Sequence, residues 1–167
     1  VSTAICGIIY YSDDTWPAEY LNNMFIGNVM TSRVNHDRLV EHGSTKIAIE
    51  APDFVKTSDP WFRPVDLQYG PDGALYMSDF YNRIIGHYEV PLTHPGRDRE
   101  RGRIWRIVYK GNKAKSPGLR HFDVSKADAN ELIREMGDRN PTRRSLALNE
   151  LVDRLGAQAR PDLEKAF

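Results

Sequence analysis

The sequence predicts a mainly β protein that contains about two blades of a β-propeller, followed by an α-helical segment. Three observations support this prediction. Short apolar strand patterns fill the first two-thirds of the chain, a strand-and-turn pattern recurs after about 50 residues, and amphipathic helical patterns follow Tyr109. We therefore expect propeller blades in residues 1–110, a linker in 111–124 and helices in 125–167.

The strand prediction is clearest around a turn in the middle of the chain. In Pro64–Tyr69, apolar and polar residues alternate, as in a half-buried strand. The sequence Gly70-Pro71-Asp72-Gly73 then predicts a tight turn, because proline presets φ and glycine tolerates positive φ. The chain returns as a strand, which gives a hairpin. The five predicted strands are residues 5–11, 24–26, 64–69, 74–79 and 104–109.

An internal repeat is the feature that indicates blades. Residues 23–28 resemble residues 74–79, since each is an apolar run that ends in a small residue and then Asn or Asp. A few residues later, Ser32-Arg33-Val34 resembles Asn82-Arg83-Ile84. Propellers have about 4–8 blades, so two cannot close a ring and would leave sheet edges and apolar faces exposed. We expect the other blades to lie outside this sequence or the pieces to associate. The opening Val1, without a methionine, agrees with a start inside a larger protein.

The last part of the chain predicts short helices. Ser125 is the expected N-cap of the first, with Asp128 three residues on, and Asn140 that of the second, with Pro141 at its first position. A third helix is expected to begin near Arg160. The paired helices fit either the first unit of a helical repeat array or a helical cap on the propeller.

Composition excludes several classes of protein. Lys and Arg number 23, as do Asp and Glu, so the balance does not predict a nucleic-acid partner. Even the Arg-rich residues 97–103 alternate in sign and indicate a solvated, self-paired segment. Cys6 is the only cysteine, which excludes an intramolecular disulfide. No apolar run is long enough to predict a membrane span.

Arg63 is the candidate binding residue. It lies just before the strand that we expect to be innermost in the second blade, where side chains line the central channel. Its planar guanidinium suits an anionic cofactor or a substrate carboxylate. The alternative is a structural ion pair with Asp59 or Asp66.

The other polar residues favour structural roles. Asn28 and Asp79 stand at equivalent strand ends, where they would face the channel or a metal, or bond to the following turn. The five histidines show no metal-ligand spacing, and His87 and His94 belong to a long loop from Gly86 to Gly102. No nucleophile elbow, Walker A or dinucleotide fingerprint is present, so no complete active site is recognisable.

Several motifs resemble a known group of propellers. They are Phe62-Arg63-Pro64-Val65, Gly70-Pro71-Asp72-Gly73-Ala74-Leu75-Tyr76 and Gly102-Arg103-Ile104-Trp105. They resemble the last blades of glucose/sorbosone dehydrogenase-like propellers, and above all the large membrane-bound dehydrogenases of planctomycetes. The resemblance covers about residues 4–110 and, more loosely, the helices. It implies a six-bladed propeller, here represented by about two blades, followed by HEAT-like helices.

The resemblance also implies a function for the larger protein. That function would be oxidation of a sugar or related alcohol by an extracytoplasmic, for example periplasmic, enzyme that uses pyrroloquinoline quinone and calcium. The remaining blades and a downstream haem domain would be its partners. Arg63 matches the arginine that contacts the quinone in related enzymes, although Pro64 stands where those enzymes have Asp. The alternatives are a propeller that binds carbohydrate or protein without turnover, and a lactone hydrolase, which would require a cluster of acidic metal ligands.

Overall fold

The computed structural model describes residues 4–86, 88–111 and 118–166, and it is mainly β with two antiparallel sheets and C-terminal helices. The chain forms two compact units. Unit 1 contains residues 1–11, 22–68 and 75–107, and unit 2 contains residues 12–21, 69–74 and 108–167. Part of the predicted linker, residues 112–117, lies outside the described residues, as does His87. Of the helices that are described, none has the length and apolar character needed to cross a membrane.

The two sheets have their strands in chain order. Sheet A has four strands and sheet B has three. Neighbouring strands of sheet A pair in antiparallel fashion. Sheet A consists of β1 (Ile5–Tyr10), β2 (Asn23–Asn28), β3 (Arg33–His42) and β4 (Thr45–Lys56). Sheet B consists of β5 (Pro64–Tyr69), β6 (Leu75–Asp79) and β7 (Arg103–Ile107).

All five predicted strands are present, with ends that differ by up to two residues. The predicted strands do not include β3 and β4, which form the longest hairpin in the described structure. Both strands are rich in charged residues, and β4 is mostly exposed along its first half, so neither shows the apolar alternation that predicts a strand. A turn at Gly43 joins them.

The sheets of unit 1 approach closely at two glycines. A Cβ on Gly27 of β2 would lie 2.8 Å from the carbonyl oxygen of Pro64, which is closer than real side chains come. A Cβ on Gly7 of β1 would lie 2.5 Å from the Cα of Asp66, and Gly7 also has a φ of +60°. Any side chain at either position would therefore push β5 away from sheet A.

The helical part has three short α-helices. These are α1 (Ala129–Glu135), α2 (Pro141–Asn149) and α3 (Arg160–Ala166), and the π-helical turn Glu150–Leu155 follows α2. The predicted N-cap at Asn140 is confirmed, because its side chain accepts from the backbone N–H groups of Thr142 and Arg143. The prediction that Ser125 caps the first helix is wrong. Asp128 is the cap, and Glu131 completes the capping box, whereas Ser125 belongs to a preceding 3₁₀ turn.

Unit 2 contains a buried polar network around Asp13. This carboxylate is fully buried, and it accepts from the backbone of Thr15 and, at 2.6 Å, from the side chain of Asn140. Arg120 bonds to both Asp13 and Asp138. Asn140 also donates to the carbonyl oxygen of Gly70 in the turn that follows β5. The cap of α2 is therefore bonded both to the segment that follows β1 and to this turn.

Candidate functional site

Arg63 is buried where three chain segments of unit 1 meet. Its side chain is 8% exposed, and its backbone N–H donates to the Oδ1 atom of Asp79 at the end of β6. The guanidinium reaches the turn after β2 and the loop after β6. Arg63 therefore connects the two sheets.

The guanidinium of Arg63 is occupied mostly by backbone carbonyls. Its Nε donates to the carbonyl oxygen of Asn82 at 2.9 Å, and its Nη2 to that of Arg83 at 3.3 Å. Its Nη1 donates to the carbonyl oxygen of Val29 at 2.8 Å and to the hydroxyl of Ser32 at 3.0 Å. Ser32, Asn82 and Arg83 belong to the two predicted repeat segments, and Val29 directly follows residues 23–28 of the first, so a single side chain bonds to both segments.

The pKa of the Arg63 guanidinium and the contacts of the nearby carboxylates agree with a structural role for this residue. Burial lowers the pKa of its guanidinium, while the nearby charges of Asp79 and Asp59 act in the opposite direction. The two carboxylates that were expected as ion-pair partners make local bonds: Asp59 accepts from the backbone of Trp61, and Asp66 from the side chain of Gln68. In its structural role, Arg63 therefore hydrogen-bonds to backbone carbonyls, where an ion pair with Asp59 or Asp66 was expected.

The arrangement around Arg63 does not offer the fork that a quinone carboxylate would need. Carboxylate recognition by arginine uses two parallel N–H donors, and here Nε and Nη1 are directed at protein acceptors. In the described part of the chain, no group of three or more His, Cys, Asp or Glu side chains is placed to hold a metal ion. The roles predicted for Arg63, quinone, calcium and haem stay predictions, and no reaction step is derived through them.

Asp79 and Asn28 both bond to the turns that follow them. The Oδ1 of Asp79 accepts from the backbone N–H groups of Arg63 and Tyr81, and its Oδ2 accepts from the indole of Trp105 at 2.9 Å. Asn28 accepts from the backbone of Thr31. These are the turn contacts that the structural interpretation of the two residues predicts.

An aromatic stack that the sequence analysis missed lies beside Arg63. The rings of Trp61 and Tyr81 are stacked with centroids 5.7 Å apart, and the guanidinium of Arg103 lies 3.1 Å from the centroid of the Tyr81 ring. Tyr81 has a φ of +45°, a strained value for an aromatic residue that the bond to Asp79 helps to fix. Sequence spacing gives no signal for a stack between residues twenty positions apart.

A polar cavity of about 310 Å³ adjoins Trp61. The loop of residues 95–101 forms its other walls, so arginine and carboxylate residues line the cavity together with Trp61. Arg97 orders this loop by donating to the carbonyl oxygens of Ile84, Gly86 and Val90. The cavity thus combines a flat apolar ring with charged groups.

An apolar cleft of about 250 Å³ lies between the two sheets of unit 1. Val55 of β4 and the strand residues Met77, Trp105 and Ile107 provide most of its surface. Phe62 also lines the cleft, and Thr57 and Asp59 are its polar members. The cleft is suited to apolar side chains.

The chain belongs to a protein family that the comparison with family models describes as a domain of unknown function, DUF7133, which matches residues 1–111. These residues include both sheets and end before the helices. No curated protein and no solved structure matches the chain.

Proposed function

We propose that residues 1–111 form two consecutive blades of a β-propeller and that this part of the protein is a non-catalytic binding module. A single observation supports the blade arrangement: of two residues at equivalent positions of the internal repeat, one is directed at the other sheet and one is directed away from it. By the repeat, Phe25 of β2 corresponds to Tyr76 of β6, and Ile26 corresponds to Met77. Phe25 and Met77 are buried, whereas Ile26 and Tyr76 are partly exposed.

The directions of these side chains explain the pattern. Gly27 faces β5, and Phe25 lies two residues earlier on the same face of its strand, so this face of sheet A is directed at sheet B. Met77 lines the cleft opposite Val55, so the buried face of β6 is directed at sheet A. In a two-fold sandwich, equivalent residues would face each other. When one sheet is related to the next by rotation about a central axis, equivalent faces of the sheets point in the same direction around that axis. This is the arrangement of propeller blades.

The contacts of Arg63 support a structural, non-catalytic role for this residue and its surroundings. A buried arginine that donates to carbonyls from two blades fixes their relative position. Its predicted part in sugar oxidation has no such support from the described contacts. The extracytoplasmic location and the dehydrogenase activity of a larger protein are inferences from the resemblance alone.

The cavity beside Trp61 is the binding surface that we assign to the module, with carbohydrate as its ligand class. The face of an indole ring suits the apolar face of a sugar ring, and the surrounding Arg, Asp and Glu side chains can bond to hydroxyl groups. Small-molecule sites commonly combine such an apolar surface with a few polar groups.

The test is titration of the chain with a panel of neutral and acidic oligosaccharides, followed by tryptophan fluorescence and calorimetry. Trp61→Ala is expected to reduce the affinity at least about tenfold, since the variant removes the stacking surface. Tyr88→Ala is the matched control: this aromatic residue of the same segment is 92% exposed and does not line the cavity. Equal affinities in the two variants, or turnover of a sugar with a quinone acceptor by the wild-type chain, would contradict the proposal.

A further inference from the structure

The apolar cleft of about 250 Å³ between the two sheets of unit 1 includes one charged residue in its lining. Asp59 carries that charge, and Thr57 is the other polar residue among those that line the cleft. The remaining lining residues are apolar or aromatic: Val55, Phe62, Met77, Trp105 and Ile107. The cleft shares no lining residue with the cavity beside Trp61. It is therefore a second candidate site, independent of the surface to which we assign carbohydrate.

The polar residues of the cleft have acceptor capacity left for a ligand. The Oδ1 of Asp59 accepts from the backbone N–H of Trp61 at 2.9 Å, whereas its Oδ2 accepts no hydrogen bond from another described residue. The hydroxyl oxygen of Thr57 accepts from the backbone N–H of Asp59 at 3.0 Å and keeps a second lone pair. Two acceptor oxygens thus belong to residues that line a largely apolar cleft.

Arg63 does not pair with the Asp59 carboxylate. Its Nε and Nη1 donate to the carbonyl oxygens of Asn82 and Val29, and within the described ranges no ion pair joins it to Asp59. The two charges interact only at longer range: burial lowers the pKa of Arg63, and Asp79 and Asp59 oppose that change. A neutral ligand in the cleft would remove water from Asp59 without replacing it, which is unfavourable. A ligand with a positive charge compensates for that loss.

We propose that the cleft binds a small primary amine in its protonated form. The ammonium group donates to the Oδ2 of Asp59 and to the hydroxyl oxygen of Thr57, and the carbon chain lies against the apolar lining. An N–H bond from a cation to a carboxylate is stronger than a bond between neutral groups. The aromatic rings of Phe62 and Trp105 add a further attraction for a cation. The volume lies near the lower end for small-molecule sites, so a monoamine with a short chain is the ligand that fits.

The experiment titrates the full 167-residue chain near neutral pH with hexylamine, hexanol and hexanoate, which have the same chain length and different charges. Hexylamine is protonated there, because an alkylammonium group has a pKa of about 10.4. The indole N–H resonance of Trp105 reports binding by NMR, since this residue lines the cleft. Hexylamine should bind at least about tenfold more tightly than either of the other compounds. Equal affinities for hexylamine and hexanol, or tighter binding of hexanoate, would overturn the proposal.

The variant Asp59→Asn tests the carboxylate. The amide oxygen can still accept from the backbone of Trp61, so the turn is kept while the charge is lost. We expect the affinity for hexylamine to fall about tenfold, toward that for hexanol. Glu50→Gln is the matched control, because Glu50 is an exposed carboxylate of β4 that does not line the cleft. It should change the affinity by less than about twofold.

Two further measurements separate loss of the ammonium contact from other causes. An unchanged Trp105 indole resonance in ligand-free Asp59→Asn would show that the bond of this indole to Asp79 is intact. Asp59→Glu keeps the charge and should retain most of the affinity. Equal losses of affinity in Asp59→Asn and Glu50→Gln would overturn the proposal. Tighter binding of N-acetyl-lysine methylamide than of hexylamine would also overturn it, in favour of a lysine side chain of a protein partner.

Discussion

Two equivalent residues of the sheets, Val34 and Ile104, have opposite surroundings. Val34 lies opposite Gly27 in sheet A, and Ile104 lies opposite Ser78 in sheet B, so the two residues take the same place in the pairing of their sheets. Val34 is fully buried, whereas Ile104 is 75% exposed. The side chains are alike in chemistry, so the difference comes from their neighbours. Val34 belongs to a strand that lies between β2 and β4, and it lies on the face that is directed at sheet B. Ile104 belongs to the last strand of sheet B and lies on the face opposite to Trp105, which lines the cleft between the sheets.

The comparison explains where the apolar exposed residues lie. Ile5, Ile8 and Tyr10 of β1 are 51%, 57% and 43% exposed, and Ile104 is exposed on the far side of sheet B. In the proposed blade arrangement, these apolar faces are the ones that further blades would cover. Apolar residues of similar type in the two sheets therefore differ in burial because their neighbours differ.

The largest expected effect on stability comes from replacing Arg63, which donates to the turn after β2 of sheet A and to the loop after β6 of sheet B. Arg63→Met should lower the free energy of unfolding by about 3 kcal/mol, because it leaves several buried acceptors without a donor. Urea denaturation would measure this. Arg99→Met, at an exposed arginine, should change stability by less than about 0.5 kcal/mol. If both variants lost the same stability, Arg63 would not join the sheets.

A smaller effect concerns the pH dependence of stability. His36 lies on the face of sheet A that is directed at sheet B, and Arg106 takes the same place in sheet B. These residues correspond through their partners Phe25 and Tyr76. Burial lowers the pKa of His36, and its hydrogen bonding with Pro52 opposes the change only in part. A group whose folded pKa lies below its unfolded value contributes stability above the unfolded pKa. That contribution is lost as the pH falls toward the folded pKa.

The free energy of unfolding should therefore decrease between pH 7 and pH 5, with a part due to His36 of less than about 1 kcal/mol, since the ring is only partly buried. In His36→Phe this part of the pH dependence should disappear. His42→Phe, at the exposed end of β3, is the control and should keep it. An unchanged pH profile in His36→Phe would show that the face of sheet A directed at sheet B does not desolvate the ring.

Much of the fold follows from local sequence patterns. The turn after Tyr69 and the N-cap at Asn140 were predictable, because each depends on side chains close in sequence. The hairpin of β3 and β4 was not, since its charged strands are held by pairing with β2 and with each other. The repeat indicated the equivalence of β2 and β6, but it could not show that their buried faces are opposite.

The candidate site was predictable only in part. The sequence singled out Arg63 and Asp79, but the bond between them and the carbonyl acceptors of the guanidinium depend on loops brought together by folding. The stack of Trp61 on Tyr81 and the indole bond of Trp105 to Asp79 are likewise tertiary contacts. A resemblance predicts a residue's role, whereas its donors and acceptors must be read from its surroundings.

The most direct test of the blade arrangement is thiol labelling of single cysteines in the full chain, in a background where Cys6 is replaced by Ser. Val34→Cys and Ile104→Cys would be compared under native conditions, with the unfolded chains as reference. We predict that Cys at position 104 is labelled nearly as fast as in the unfolded chain, whereas Cys at position 34 is strongly protected. Equal rates at the two positions would contradict the different burial of these equivalent faces and, with it, the stacking of the sheets as consecutive blades.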